Sequence, residues 1–110
     1  MALQELNSPE DFDDLVSSGT TALIFKHSTR CSISSEAHRE VTKFLADEPD
    51  VPVYLILVVE NRPTSLAVAE KLGVTHASPQ AILLLNGQAA WDASHWDITQ
   101  KQIESVWAGV

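Results

Sequence analysis

The sequence predicts an α/β fold in which helices flank a central mixed sheet of four strands and an extra helix precedes that sheet. Residues 21–27 and 51–59 are short apolar segments, and a segment with helical spacing separates them. Strands that are joined through a helix pair in parallel. Two further apolar segments meet at Asn86 and Gly87, the strongest short signal for an antiparallel hairpin. The sheet therefore contains both strand orientations.

The extra helix is predicted to begin after Ser8. Ser8 is a capping residue, Pro9 suits the first helical turn, and the acidic residues that follow suit the positive end of the helix dipole. One apolar face is formed at helical spacing by Phe12, Leu15 and Val16. Gly19 marks the end of this helix.

The central elements follow from apolar spacing and from the residues that interrupt it. Residues 32–47 carry apolar side chains at helical spacing, and Pro49 ends that helix. The continuous apolarity of residues 51–59 is typical of a strand that is buried on both faces. Pro63 opens another helix, and Gly73 is placed to end it. The packing side of this helix is predicted to comprise Leu66, Val68, Ala69 and Leu72.

The last third of the chain supplies the hairpin and a final helix. Residues 81–85 and 88–91 are its strands, and Thr99 and Gln102 are spaced as a capping box. The inner face of the final helix is assigned to Ile103, Val106 and Trp107. This is the element order of the thioredoxin fold with an added N-terminal helix, and residues 1–110 suffice for one domain with one core.

Composition excludes several classes of function. The net charge is -8, from 15 acidic and 7 basic side chains, so nucleic acid and anionic membranes are poor partners. No apolar run is long enough to span a membrane, and residues 1–5 lack the features of a signal peptide. One cysteine forbids an internal disulfide, which fits a reducing compartment. We therefore expect a cytoplasmic protein.

The single cysteine, Cys31, lies in the loop after the first predicted strand, at the start of the next helix. Ligand sites of open α/β sheets gather beyond the carboxyl ends of strands, and the free N–H groups of a helix start favour a thiolate over a thiol. Lys26, His27 and Arg30 add positive charge in the sequence around Cys31. We therefore expect a reactive thiolate supported by these three residues. The alternative is an inert buried cysteine, against which the polar neighbours of Cys31 argue.

Ser34 stands where many thioredoxin-like enzymes hold a second cysteine. In the resulting C-x-x-S motif, Cys31 can attack a disulfide, but no internal thiol can then release it. A second molecule, either a small thiol or another protein, must do so. The Ser34 hydroxyl is placed either to donate a hydrogen bond to the Cys31 sulfur or to lie on the helix surface, and the sequence leaves both open.

Ser78 and Pro79 precede the third predicted strand. Thioredoxin-like folds carry a cis-proline at this point, facing the active cysteine, so a cis bond is expected before Pro79. The backbone N–H and C=O of Ser78 would then pair with an extended substrate, as in strand addition. The alternative is an ordinary trans proline that starts a strand.

Three stretches, "FKHSTRCSIS", "SPQAILLLNG" and "ASHWDIT", resemble the monothiol bacilliredoxin family, also known as YtxJ-like proteins of the bacillithiol system. The resemblance extends from about residue 3 to residue 107. It implies a thioredoxin-like fold and thiol–disulfide exchange in which Cys31 takes bacillithiol from a client protein and a second bacillithiol releases Cys31. The implied partners are S-thiolated clients, a small thiol and a reductase, with no tightly bound cofactor. Family members commonly have proline after the cysteine, whereas this chain has Ser32.

Other functions compete with this interpretation. One is a binding module whose cysteine does no chemistry. Another is an iron–sulfur carrier of the monothiol glutaredoxin type, whose C-G-F-S has a glycine and an aromatic residue that this motif lacks. A zinc site is disfavoured because His27 and Cys31 have no second pair at ligand spacing. His95 suggests either a proton carrier or a residue packed at the base of the final helix, and we favour the packed role.

Overall fold

A five-stranded mixed sheet organises the protein, whose computed structural model describes residues 3–110. Residues 1 and 2, the start of the segment without signal-peptide features, lie outside the described residues. In chain order the elements are β1 (Gln4–Glu5), α1 (Pro9–Ser17), β2 (Ala22–His27), α2 (Ser32–Asp47), β3 (Val53–Leu57), α3 (Arg62–Leu72), β4 (Gln80–Leu85), β5 (Gln88–Ser94), a short 3₁₀ helix (His95–Asp97) and α4 (Gln100–Ala108).

The strand order is β1-β3-β2-β4-β5. β1, β3 and β2 run parallel, whereas β4 pairs antiparallel with both β2 and β5. The mixed sheet of the thioredoxin fold is therefore confirmed, but the prediction of four strands is wrong. The fifth strand, β1, adds to the edge of the sheet at Tyr54 and Leu55. Two residues are too few to produce a recognisable alternation in the sequence.

Each face of the sheet has its own core. Leu23 and Phe25 of β2 pack on the face covered by α2, where Val41 and Phe44 are buried. Ile24, between them in β2, packs with Phe12 of α1 on the opposite face. Neighbouring residues of one strand therefore serve different cores, because successive strand side chains point to opposite faces.

The predicted helix caps and the hairpin turn are present. The Ser8 hydroxyl accepts the Asp11 N–H at 3.1 Å, and the Thr99 hydroxyl accepts the Gln102 N–H at 3.2 Å. Gly73 ends α3 with a φ of 67°. Asn86 and Gly87 both have positive φ, as a type I′ hairpin turn requires.

Some element boundaries and faces differ from the prediction. β3 covers only Val53–Leu57, and β5 continues past Trp91 to Ser94. Leu66, expected on the packing side of α3, is 43% exposed. Within residues 3–110, no helix has the length and apolarity that crossing a membrane requires.

Candidate active site

Cys31 links the end of β2 to the start of α2. It is the N-cap residue of α2, with extended backbone angles, and its thiol is free and half-buried. Its carbonyl accepts the Ser35 N–H at 3.0 Å, which closes the first turn of the helix. In the described part of the chain its sulfur makes no capping hydrogen bond. The thiol therefore lies at the positive end of the α2 dipole and is partly open to solvent.

Ser34 is fully buried one turn after Cys31. Its Oγ accepts the Ser28 N–H at 2.8 Å and lies 2.7 Å from His27 Nδ1. Ser34 is therefore not on the helix surface, and its hydroxyl is engaged with the strand and loop that precede the cysteine. These contacts join the end of β2 to the first turn of α2 around the thiol.

His27 is buried at the end of β2 and belongs to a cluster of rings. Its ring centroid lies 5.5 Å from that of Phe25 and 4.8 Å from that of His38. Burial lowers the pKa of His27 below its ordinary value, and a positive charge on His38 would lower it further. His27 is therefore uncharged at neutral pH, so its contact with Ser34, and not a positive charge, is what it contributes near Cys31.

Lys26 is fully buried, and its side chain lies on the other face of the sheet. It follows Phe25, which packs under α2, so strand alternation places it on the face of α1 and α3. Its Nζ lies 3.2 Å from His76 Nδ1, and burial lowers its pKa to about 8. These contacts do not support the predicted role of Lys26 at the thiolate. Arg30, whose side chain is exposed, remains as the basic residue directly before Cys31.

The Ser78–Pro79 peptide bond is cis, as predicted. The Pro79 carbonyl accepts the His95 N–H at 3.1 Å, so the segment after β5 lies directly beside this proline. His95 has a φ of 55°, in the left-handed region that is unusual for a residue with a side chain. The side chain of His95 is exposed, so the packed role expected for it is wrong.

Sequence reasoning missed the proximity of Pro79 and His95, although the hairpin carries the signal. Counting outward from the turn, Leu85 pairs with Gln88 and, after one irregularity, Gln80 pairs with Ser94. The residues just beyond this last pair are Pro79 and His95. The register of the hairpin therefore predicts that the two segments meet.

Trp96, next to His95, is 66% exposed and borders two grooves. One groove, of about 400 Å³, also contains Trp91 and Gln102 in its wall. The other, of about 280 Å³, runs between the 3₁₀ helix and α2, where Glu36 and Glu40 line it. Trp96 thus presents a large apolar surface in the segment that adjoins Pro79. Among residues 3–110, no three His, Cys, Asp or Glu side chains gather in a group that could hold a metal ion.

Comparison with known proteins agrees with this architecture. A solved structure described as a thioredoxin-fold protein and, provisionally, an oxidoreductase is 31% identical to this chain, with a TM-score of 0.88. The match covers 96% of this chain and 93% of that one. Mitochondrial thioredoxin 3 from Saccharomyces cerevisiae is 20% identical, with a TM-score of 0.76 over 98% of this chain and 95% of its own. Thioredoxin from Fasciola hepatica is 16% identical, with a TM-score of 0.76 over 97% of this chain and 98% of its own. The two thioredoxins support the fold alone.

The family comparison is more specific. The family model of the monothiol bacilliredoxin BrxC matches residues 4–103, a range that includes Cys31, Ser34 and the Ser78–Pro79 bond. With the 31% identical structure, it places the chain among thiol oxidoreductases of the thioredoxin fold. The protein therefore belongs to the monothiol bacilliredoxin family.

Proposed function

We propose that this protein removes bacillithiol, or a similar small thiol, from mixed disulfides on client proteins through Cys31. The observation that carries the proposal is the half-buried free thiol at the N-terminus of α2, with the buried Ser34 hydroxyl one turn later where a resolving thiol would lie. Such a site can form a mixed disulfide and has no second sulfur with which to release it.

The reaction proceeds in two exchanges. The Cys31 thiolate attacks the bacillithiol sulfur of the client mixed disulfide, a bond forms between these two sulfurs, and the client leaves as a thiolate that takes up a proton. A second bacillithiol thiolate then attacks the adduct on the same bacillithiol sulfur, which releases the Cys31 thiolate and forms bacillithiol disulfide. In the net reaction the client mixed disulfide and one bacillithiol thiol become a client thiol and bacillithiol disulfide, so one disulfide bond is broken and one is formed. A separate reductase returns the disulfide to thiols, and the protein itself needs no tightly bound cofactor.

The position of Cys31 supports the first exchange. The α2 dipole favours a negative sulfur both before attack and when Cys31 leaves the adduct. Arg30 is exposed directly before Cys31 and adds positive charge where anionic sulfur species approach. This chemistry suits a cytoplasmic compartment, where small thiols are kept reduced.

Client recognition is assigned to Ser78 and Pro79. The backbone of Ser78 makes no backbone–backbone hydrogen bond within residues 3–110, so its polar groups are available to an extended client segment. Main-chain pairing of this kind tolerates different client sequences, which suits an enzyme that acts on many S-thiolated proteins.

The decisive experiment follows the adduct by mass spectrometry. A client carrying bacillithiol is mixed with the protein, and the mass of each chain is measured before and after bacillithiol is added. We expect the bacillithiol mass to move from the client to Cys31 and then to leave the protein. A matched reaction with Cys31→Ser leaves the client modified. Transfer by Cys31→Ser, or a wild-type protein that never carries the adduct, would refute the proposal.

A further inference from the structure

Lys26 and Gln80 form a buried polar pair on the face of the sheet opposite α2. They are direct partners in the antiparallel register of β2 and β4, so their side chains lie side by side. Lys26 is fully buried and Gln80 is 2% exposed. Around them the same face is apolar, with Ile24 and Ile82 as the next residues of that face in each strand. Two polar side chains at this depth need an explanation, because burying polar groups costs free energy.

Both members of the pair contact the loop that leads to Pro79. Lys26 Nζ lies 3.2 Å from His76 Nδ1, and Gln80 Nε2 donates to the Thr75 carbonyl at 2.9 Å. A lysine ammonium has only donors, so His76 Nδ1 is the acceptor in this contact. Burial lowers the pKa of His76, which keeps its ring neutral and able to accept.

Little else holds this loop. Residues 75–78 make no backbone–backbone hydrogen bond within the described chain. Apart from its contact with Lys26 Nζ, His76 Nδ1 has one contact, with Ser65 Oγ of α3 at 3.2 Å. The conformation of the loop therefore depends on side-chain contacts made from the sheet and from α3.

Burying the Lys26 side chain at this position costs free energy. Within residues 3–110 it forms no salt bridge, and its ammonium has only a neutral imidazole as a partner. An apolar side chain of similar length would fill the same volume without the cost of removing a charge from water. A fixed loop would offset this cost, since the loop leads directly to Ser78 and Pro79.

We propose that Lys26 and Gln80 are positioning residues for client binding, which through His76 and Thr75 hold the Ser78–Pro79 segment in the shape that pairs with an extended client peptide. This inference rests on the proposed function. It assigns Lys26 to recognition of the peptide part of a client and not to the reactivity of the thiol.

The test compares two disulfides with the full-length protein. The first is a small symmetrical aromatic disulfide, which needs only the thiol. The second is an unstructured peptide whose central cysteine carries a mixed disulfide with bacillithiol. For Lys26→Met we expect KM for the peptide disulfide to rise about tenfold, as for the loss of one net hydrogen bond, with a smaller change in kcat. Ile24→Val, a substitution on the same buried face at a side chain that cannot hydrogen-bond to the loop, is the matched control and should keep the wild-type KM.

Two further variants keep the test decisive if Lys26→Met folds poorly. His76→Ala removes the acceptor and should raise KM in the same way, whereas His76→Asn retains an acceptor and should restore a KM near the wild-type value. An equal loss with both disulfides would place Lys26 at the thiol and overturn the proposal, as would an unchanged KM for the peptide. A different outcome would refute the proposed function itself: Cys31→Ser would then still exchange both disulfides.

Discussion

His27 Nδ1 and Ser34 Oγ lie 2.7 Å apart in the buried space between the end of β2 and the first turn of α2. The same Ser34 oxygen accepts the Ser28 N–H at 2.8 Å. One hydroxyl thus connects the strand, the loop and the helix that together place Cys31. Ser34, which stands where a second cysteine of a C-x-x-C motif would lie, is thus part of the framework around the thiol.

Replacing Ser34 by alanine should therefore destabilise the protein. Ser34→Ala leaves the part-buried Ser28 N–H and the buried His27 Nδ1 without this partner, so we expect the free energy of unfolding to fall by about 1–3 kcal/mol. Urea unfolding followed by circular dichroism measures the change. Ser32→Ala, an exposed serine on the same turn, should have a much smaller effect, and equal effects of the two substitutions would contradict the framework role of Ser34.

Replacing Ser34 by cysteine should change how the enzyme is released from its adduct. In Ser34→Cys the introduced thiolate can attack the Cys31 sulfur, expel bacillithiol and form an internal disulfide. We expect the bacillithiol adduct to disappear without added small thiol. The mass of the product should then be that of the reduced variant minus two hydrogens. The measurement is intact-protein mass spectrometry after reaction with a bacillithiol-modified client.

The control for this substitution is Thr42→Cys, which places a second thiol at an exposed position farther along α2. That variant should keep the adduct, as we expect for the wild-type protein. An adduct that persists equally in Ser34→Cys would show that the Ser34 position cannot reach the Cys31 sulfur.

His27 should make the protein sensitive to acid. Its pKa in the folded state is lowered by burial, so the unfolded chain takes up the proton first as the pH falls below the ordinary value of 6.5. The contribution of His27 to stability is thus present above this pH and is lost below it. We expect unfolding free energies measured from pH 7 down to pH 5 to fall less steeply in His27→Asn than in the wild type. Parallel curves for the two proteins would argue against a buried neutral His27.

Trp96 should contribute to the binding of protein clients. A large apolar side chain that is 66% exposed, beside the Ser78–Pro79 segment proposed to bind clients, is a candidate for contact with a partner. We expect Trp96→Ala to lower the rate of exchange with a bacillithiol-modified protein more than the rate with a small aromatic disulfide. Leu66→Ala is the matched control, because Leu66 is also an exposed apolar residue, at 43%, but lies on α3 and not in the segment that bonds Pro79.

Sequence patterns were sufficient for the fold class, although not for the two-residue strand β1, because helical spacing, a hairpin turn and cap residues each have local signatures. They were also sufficient for the position of Cys31, since both the end of β2 and the start of α2 are marked in the sequence. The burial of Ser34 could have been predicted as well, because it lies at helical spacing from Ala37 and Val41, which are buried. The ring cluster around His27 could not, since it depends on how α2 packs across the sheet.

Lys26 shows where proximity along the chain misleads. Adjacent residues of a strand point to opposite faces, so Lys26 and His27 cannot both approach the same helix. A count of the charges near Cys31 in the sequence treats Lys26 and His27 as equally close to the thiol. The alternation of β2, which separates Phe25 from Ile24 in the two cores, already assigns Lys26 to the face of α1 and α3.

The buried position of Lys26 predicts an unusual dependence of stability on alkaline pH. Burial lowers its pKa from 10.5 to about 8 in the folded protein. Between these two values the unfolded chain holds a proton that the folded protein has released, so the contribution of Lys26 to stability becomes more favourable as the pH rises. The change amounts to about 3 kcal/mol over this range.

Comparison with Lys26→Met isolates this effect from the other groups that titrate at alkaline pH. At pH 7 the variant lacks a buried ammonium and should have the larger free energy of unfolding, measured by urea denaturation. As the pH rises from 8 to 10.5, its advantage over the wild type should shrink by about the same 3 kcal/mol. A difference that stays constant across this range would mean that Lys26 keeps its ordinary affinity for the proton and that its ammonium reaches water.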